Sequence, residues 1–240
     1  MKIVLAEAYS NMADAIATFP LLMRQGKGEL IYDGRNRVVK FLCENRSLMV
    51  KRYKRVNLIQ QVVYTFFRKT KAERAFLFAA EFKKRGIYTP TPIAYLLEYA
   101  CGLFTVGYFI SEEVPGTETS VLLREVQNYD SELADAVARQ VVLMHSKGVL
   151  HGDLNLSNFL CTKDEHGYHF CMIDVNRSHF CDGWPSDEQC LINLVRITHR
   201  RDLYVDIVRR YAALRGWNAD DTEQKAVALL DRFEHKRFRL

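Results

Sequence analysis

The chain has 240 residues, 48% hydrophobic and 26% charged, with a formal net charge of +5. This is ordinary globular composition, long enough for one two-lobed domain or two small ones. It holds no run of about 18 apolar residues and no N-terminal basic-apolar-small pattern, so a cytoplasmic, non-spanning protein is expected.

The first readable signal is Gly26-Lys27-Gly28, a turn ahead of alternating segments at Glu29–Tyr32, Arg37–Leu42 and Ser47–Tyr53. Asp33-Gly34 and Glu44-Asn45 separate these three expected strands. A helix follows, with Leu58, Ile59, Val62, Val63, Phe66 and Phe67 forming one apolar face. Basic clusters flank it, a pattern shared by interfacial helices and by core helices with a solvated rim. A first-half sheet that needs cover favours the core placement. A second helix spans roughly Lys71 to Arg85 and stops at Gly86. Thr89-Pro90-Thr91-Pro92 enforces extended chain, and Ile93–Leu97 and Leu103–Ile110 read as strands. Ser111–Thr117, with Pro115-Gly116, reads as a linker.

Beyond it, Ser131–Ser146 is the clearest helix, with Ala134, Val137, Ala138, Val141 and Val142 on one face and Gly148 at its end. A hairpin is expected from Phe159–Thr162, Tyr168–Ile173 and a turn at Asp164-Glu165-His166-Gly167. Cys161, His166, His169 and Cys171 lie on that hairpin at a spacing that matches no common zinc module. With Cys43, Cys101, Cys181 and Cys190 the cysteines number six, none in a CxxC pair, and read as reduced thiols. Helices are expected at Asp187–Thr198, Tyr204–Leu214 and Glu223–Phe233. The sum is an α+β, bilobal fold, made protein-kinase-like by the loop His151–Asn158 and the downstream Asp174. Residues 1–112 form a strand-rich N-lobe, and residues 113–240 a mainly helical C-lobe.

The chemistry is concentrated between the clear helix and the hairpin. His151-Gly152-Asp153-Leu154-Asn155-Leu156-Ser157-Asn158 is followed, 16 residues on, by Asp174 in Ile173-Asp174-Val175-Asn176. This is the layout of a kinase catalytic loop and its metal-binding acid. Phosphoryl transfer needs an acceptor hydroxyl held in line and divalent metal on the phosphate oxygens. Asp153 is the candidate for the hydroxyl proton, Asn158 and Asp174 for metal, and His151 for fixing the loop. ATP and Mg²⁺ (or Mn²⁺) are the cofactors this implies. Gly152 stands where protein kinases usually carry Arg, Val175-Asn176-Arg177 replaces Phe-Gly, and no Ala-Pro-Glu triplet follows. These departures point to a small-molecule acceptor.

In the first half, Lys51 sits at a strand position that resembles the phosphate-holding lysine of kinases. Its helix partner is Glu73, preferred, or Glu81. Gly26 and Gly28, or Asp33-Gly34, could form a reduced phosphate-cradling turn or an ordinary one.

Several stretches together resemble the lipopolysaccharide kinase family, the Kdo and core-heptose kinases. They are Val50-Lys51-Arg52-Tyr53, Lys71-Ala72-Glu73-Arg74, the run Gly86–Ala94, the run Leu143–Asp153 and Ile173-Asp174-Val175-Asn176-Arg177. The resemblance spans about residues 50–177 and implies ATP-dependent phosphorylation of a sugar hydroxyl in lipopolysaccharide core. It carries Lys51, Asp153, Asn158 and Asp174 as site residues.

Charge is uneven. Residues 51–86 hold eleven Lys/Arg against Glu73 and Glu81, a net +9, while residues 98–135 hold Arg124 against eight acids, a net −7. The basic stretch fits an anionic acceptor and peripheral contact with the inner-membrane surface. The acidic stretch keeps an aminoglycoside-type phosphotransferase open as an alternative. A non-catalytic nucleotide- or partner-binding kinase fold is another, opposed by the intact Asp153, Asn158 and Asp174. No nucleic-acid motif accompanies the basic segment.

Overall fold

A computed structural model describes residues 1–238. They divide into two compact units, one of Met1–Lys84 and Thr89–Val114, the other of Arg85–Tyr88 and the chain from Pro115 onward.

The first unit is built on one antiparallel sheet. Its strands are β1 (Lys2–Leu5), β2 (Glu29–Asp33), β3 (Arg37–Cys43), β4 (Arg46–Arg52), β5 (Pro92–Ala100) and β6 (Leu103–Glu112), in the spatial order β1-β5-β6-β4-β3-β2. Strand alternation sorts side chains onto two faces. Val39, Phe41, Leu48, Val50, Leu96, Tyr108 and Ile110 share one buried cluster. Tyr53, Tyr95, Leu97 and Phe104 share the other. Lys51 follows Val50, so it lies on the second face.

Helix α1 (Ala13–Arg24) covers the first face and was not expected from sequence. It buries Ile16, Phe19, Pro20 and Met23, and Phe19 stacks on Phe41 with centroids 4.7 Å apart. The interior Pro20 disguises it, because proline removes an intrahelical hydrogen bond. The Gly26-Lys27-Gly28 turn is the stop of this helix. Gly26 has φ +71°, its N–H donates to the Met23 carbonyl at 3.3 Å, and Lys27 N–H donates to the Leu22 carbonyl at 2.9 Å. Those two amides are occupied by helix carbonyls, so the turn serves as a helix stop. Gly28 is needed for room: a Cβ there would meet Val39 at 2.5 Å.

The second face carries α2 (Leu58–Phe66) and α3 (Lys71–Lys84). Helix α3 lies close to the sheet through Ala72, Ala75 and Ala79, and a Cβ on Gly107 would meet Ala72 at 2.9 Å. Helix α2 departs from expectation. Its inward residues are Gln61, Tyr64 and Thr65: Gln61 donates to the Val56 carbonyl at 3.2 Å, and Thr65 Oγ1 accepts from Phe104 N–H at 2.9 Å. The apolar stripe that suggested a core helix faces outward, with Ile59 77%, Phe66 67% and Phe67 80% exposed.

The second unit is mainly helical: α4 (Thr119–Leu123), α5 (Ser131–Ser146), α6 (Asp187–Leu194), α7 (Arg201–Arg215) and α8 (Ala219–Phe238). Asp130 caps α5 by accepting from the Glu132 and Leu133 amides. Leu133, Ala134, Val137, Ala138, Val141 and Met144 fill the core from its inner face. Three-stranded pairing joins β7 (Thr117–Glu118), β9 (Phe159–Asp164) and β10 (Gly167–Met172), and β8 (Val149–Leu150) pairs with β11 (His179–Phe180). The expected hairpin is therefore present. Its Cys161 and Cys171 are buried, and His169 Nε2 meets Asp164 at 2.9 Å at the turn. All six thiols are free.

Arg85 ties the loops beside the small sheet. It donates to the carbonyls of Lys147 at 2.7 Å and Cys181 at 2.8 Å, and lies 5.2 Å from the Phe180 ring centroid. Gly148, at φ +68°, makes room for this arrangement, since a Cβ there would fall 2.1 Å from the Cys181 carbonyl oxygen. Gly148→Ala should lower stability by about 1–3 kcal/mol through strain and displaced carbonyls. Urea unfolding followed by circular dichroism reads this as a lower midpoint at unchanged slope.

Candidate active site

The segment after β8 is held by backbone before any side chain acts. Asn158 N–H donates to the Asn155 carbonyl at 2.8 Å, Leu156 N–H to the Ile197 carbonyl at 3.1 Å, and Ile173 N–H to the Asn158 carbonyl at 3.0 Å. The last bond sets the loop's end against the strand end that bears Asp174. His151 makes a second tie. It is fully buried, its Nε2 donates to the Ile173 carbonyl at 3.0 Å, and its Nδ1 accepts the Asp153 N–H at 3.2 Å. The two bonds define a neutral ring protonated at Nε2.

Behind His151 runs a buried chain of polar groups. Asn193 donates its amide nitrogen to the His151 carbonyl at 2.8 Å, so its Oδ1 is the atom that meets His145 Nε2 at 3.1 Å. His145 Nε2 therefore carries the proton. Its Nδ1 accepts from the Tyr211 hydroxyl at 2.9 Å, and Arg215 donates to that same oxygen at 2.7 Å. Sequence reading assigned no role to His145, Asn193 or Tyr211. Periodicity marks them as helix residues, but nothing local marks their partners, which are 48 and 66 residues from His145.

Gly152 has a steric reason. A Cβ at this position would sit 2.0 Å from the Arg177 carbonyl oxygen, so any side chain would push Val175–Arg177 away from the loop. Held this close, Arg177 reaches Asp153, with Nη1 3.3 Å from Oδ2. The side chains are 47% and 36% exposed, so water screens the pair and it positions more than it stabilises.

Asp153, Asn158 and Asp174 are thus brought together. Asn158 donates Nδ2 to the Asp153 carbonyl at 2.7 Å, which orients its own Oδ1 the other way. Asp174 adopts φ +56°, ψ +40°, uncommon for a residue with a side chain, and Asn176 donates to its Oδ1 at 2.5 Å. An amide oxygen and a carboxylate form a hard-oxygen set, which fits Mg²⁺ or Mn²⁺ and does not suit a soft metal.

The remaining expected residues belong to the first unit. Lys51 on β4 is half-buried, its ammonium 5.6 Å from the Tyr53 ring centroid. Glu73, in the first turn of α3, forms no ion pair among the described residues. Its carboxylate helps push up the Tyr95 and Tyr99 hydroxyls, an effect second to burial.

The profile of the lipopolysaccharide kinase (Kdo/WaaP) family matches residues 28–227. The chain belongs to that family. Similar proteins include a 3-deoxy-D-manno-octulosonic acid kinase of Vibrio vulnificus (strain YJ016), 29% identical over 150 residues, 58% of this chain and 60% of the relative. The corresponding kinase of Vibrio cholerae serotype O1 is 27% identical over 142 residues, 56% of this chain and 59% of the relative. The matched stretch therefore spans about 60% of these curated relatives' length. Among solved structures, WaaP in complex with acyl carrier protein shares the fold at TM-score 0.62 and 19% identity, covering 100% of this chain and 99% of that one.

The buried histidines give this family member a pH signature. Burial pushes His145 down to about 4 and His151 below its ordinary value. The unfolded chain takes up these protons first, near pH 6.5, so stability is intact above that value and falls as pH drops toward the folded values. His145 alone contributes on the order of 3 kcal/mol to the loss between about pH 6.5 and 4. Urea midpoints measured from pH 7.5 downward should fall, and His145→Gln should flatten the slope.

Proposed function

We propose that this chain transfers the γ-phosphoryl group of ATP to a sugar hydroxyl of lipopolysaccharide core, with Kdo as the first acceptor to test. Residues 1–112 serve as the nucleotide-binding lobe and residues 113–240 as the catalytic lobe. The observation that carries the reading is the joining of Asp153, Asn158 and Asp174 by the loop-to-strand hydrogen bonds of a kinase family member. Asp153 accepts the proton that leaves the acceptor hydroxyl as the new O–P bond forms and ADP departs. Asn158 and Asp174 hold the divalent metal, which supplies charge neutralisation at the phosphates. His151 positions the loop, Arg177 orients Asp153, and Lys51 holds the nucleotide phosphates with Glu73 or Glu81 as its helix partner.

A cationic acceptor is less well supported, because the acid-rich stretch is already engaged. Glu98 meets Arg24 at 2.6 Å, Glu112 meets Arg46 at 3.0 Å and Glu113 meets Lys40 at 2.9 Å. Glu125, Glu132 and Asp135 are likewise paired with Arg124, Lys163 and Arg139, and Asp130 caps a helix. Little uncompensated negative charge is left to attract an aminoglycoside. A lipid-linked, anionic acceptor also places the enzyme at the cytoplasmic face of the inner membrane, as a peripheral protein.

Two substitutions separate the carboxylates' roles. Asp153→Asn should cut transfer by about 10²–10⁴-fold and leave nucleotide affinity near wild type. Asp174→Asn should instead weaken Mg²⁺-dependent nucleotide binding. Mass spectrometry of deacylated core acceptors, beside nucleotide titration with and without Mg²⁺, reads both. Wild-type turnover in Asp153→Asn would remove this residue from the chemistry.

The lysine partner is decided by double-mutant cycles on ATP use. Residues that share an interaction couple by about 0.5–3 kcal/mol, while independent ones add. Lys51→Ala combined with Glu73→Gln, and separately with Glu81→Gln, should show coupling in one cycle and additivity in the other.

A further inference from the structure

The outward stripe of α2 is unusual for a surface helix. Leu58, Ile59, Val62, Val63 and Phe66 recur along one side, and Phe67 extends it past the helix end. Leu58 is 73% exposed, and the Phe66 and Phe67 rings lie edge-to-face in the open. The side that meets the sheet is the polar one, so the helix is inverted relative to a core helix. Asn57 caps its start by accepting from Gln60 N–H at 2.9 Å, so it is a built helix and not a frayed loop.

The charge around the stripe has one sign. From Lys51 to Ala72 the sequence carries seven Lys/Arg and no Asp or Glu. Lys54 and Arg55 precede the helix, and Arg68 and Lys69 follow it, all exposed. Among the described residues these four form no ion pair, whereas elsewhere in the first unit Asp33, Glu98, Glu112 and Glu113 each have a basic partner. An apolar ridge between two cationic ends matches an anionic lipid surface: rings enter the acyl boundary while ammonium and guanidinium groups stay at the phosphates. A soluble acidic protein would satisfy the cations but would also have to supply an apolar groove for a ridge that ends in two adjacent phenylalanines.

We infer that α2 is the membrane-docking element, lying flat on anionic phospholipid with Ile59, Phe66 and Phe67 inserted and Arg68 and Lys69 on the headgroups. The assignment rests on the peripheral-membrane part of the proposed function, and is independent of the phosphotransfer chemistry.

Vesicle cosedimentation tests it, with phosphatidylcholine vesicles carrying about 30% phosphatidylglycerol or none, from about 50 to 500 mM salt. Wild type should bind the anionic vesicles at low salt and release as salt rises. Ile59→Ser/Phe66→Ser/Phe67→Ser and Arg68→Gln/Lys69→Gln should each lower the partition coefficient about tenfold or more. Both variants change exposed side chains, so their thermal melts should match wild type, as should their turnover of a soluble, deacylated acceptor. If wild type ignores anionic vesicles at low salt, the peripheral reading itself fails. If wild type binds and both variants bind equally well, the peripheral reading stands and α2 is not its element. Self-association that the serine variant abolishes, without vesicle binding, would overturn the proposal in favour of an interface between copies.

Discussion

The geometry of the site depends on one buried imidazole. His151 is the point where the loop of Asp153 and the strand end of Asp174 are joined, one ring nitrogen serving each. A ring charged at both nitrogens could not accept the Asp153 amide, so the loop requires a neutral histidine. Burial supplies that condition. Separately, the amide of Asn193, oriented by the His151 backbone carbonyl, places the proton of His145. Asn193, His145, Tyr211 and Arg215 thus form a second assignment of donors and acceptors, anchored on the His151 backbone carbonyl.

This helps explain how an open, partly solvated site can be well ordered. Asp153 and Arg177 are too exposed for their ion pair to hold anything rigidly. The rigidity comes from beneath, where the polar chain is buried, and from the close passage of Val175–Arg177 over Gly152. The strained backbone of Asp174 is sustained in that setting because neighbours on both sides are fixed by hydrogen bonds.

The sequence discloses these features unevenly, for physical reasons. The strands at 29–53, the helix Ser131–Ser146 and the 159–172 hairpin are local patterns, and they appear within a few residues of their expected places. The spacing of Asp153, Asn158 and Asp174 was visible because loop chemistry is compressed into contiguous residues. Helix α1 was hidden by Pro20, a residue that argues against a helix and is tolerated here on a buried face. Periodicity revealed the stripe on α2 but not its direction, since a moment has no knowledge of which side the protein lies on. Gly26 and Gly28 fit a phosphate-cradling turn and an ordinary turn alike in sequence, because a helix stop uses the same residue type. Asn193, Tyr211 and Arg85 were unreadable because each acts on groups far away in the chain.

Arg85 also bears on where the polypeptide divides. Residues 85–88 lie within the span of the first unit's sequence but belong to the second. The second unit is therefore not a contiguous stretch, and a fragment beginning at Pro115 would lack the guanidinium that satisfies the carbonyls of Lys147 and Cys181. Met172 would lose its backbone acceptor on Tyr88 as well. During synthesis the four-residue clasp emerges well before the groups it closes upon. The second unit can complete its hydrogen bonding only with a piece of its own chain made earlier.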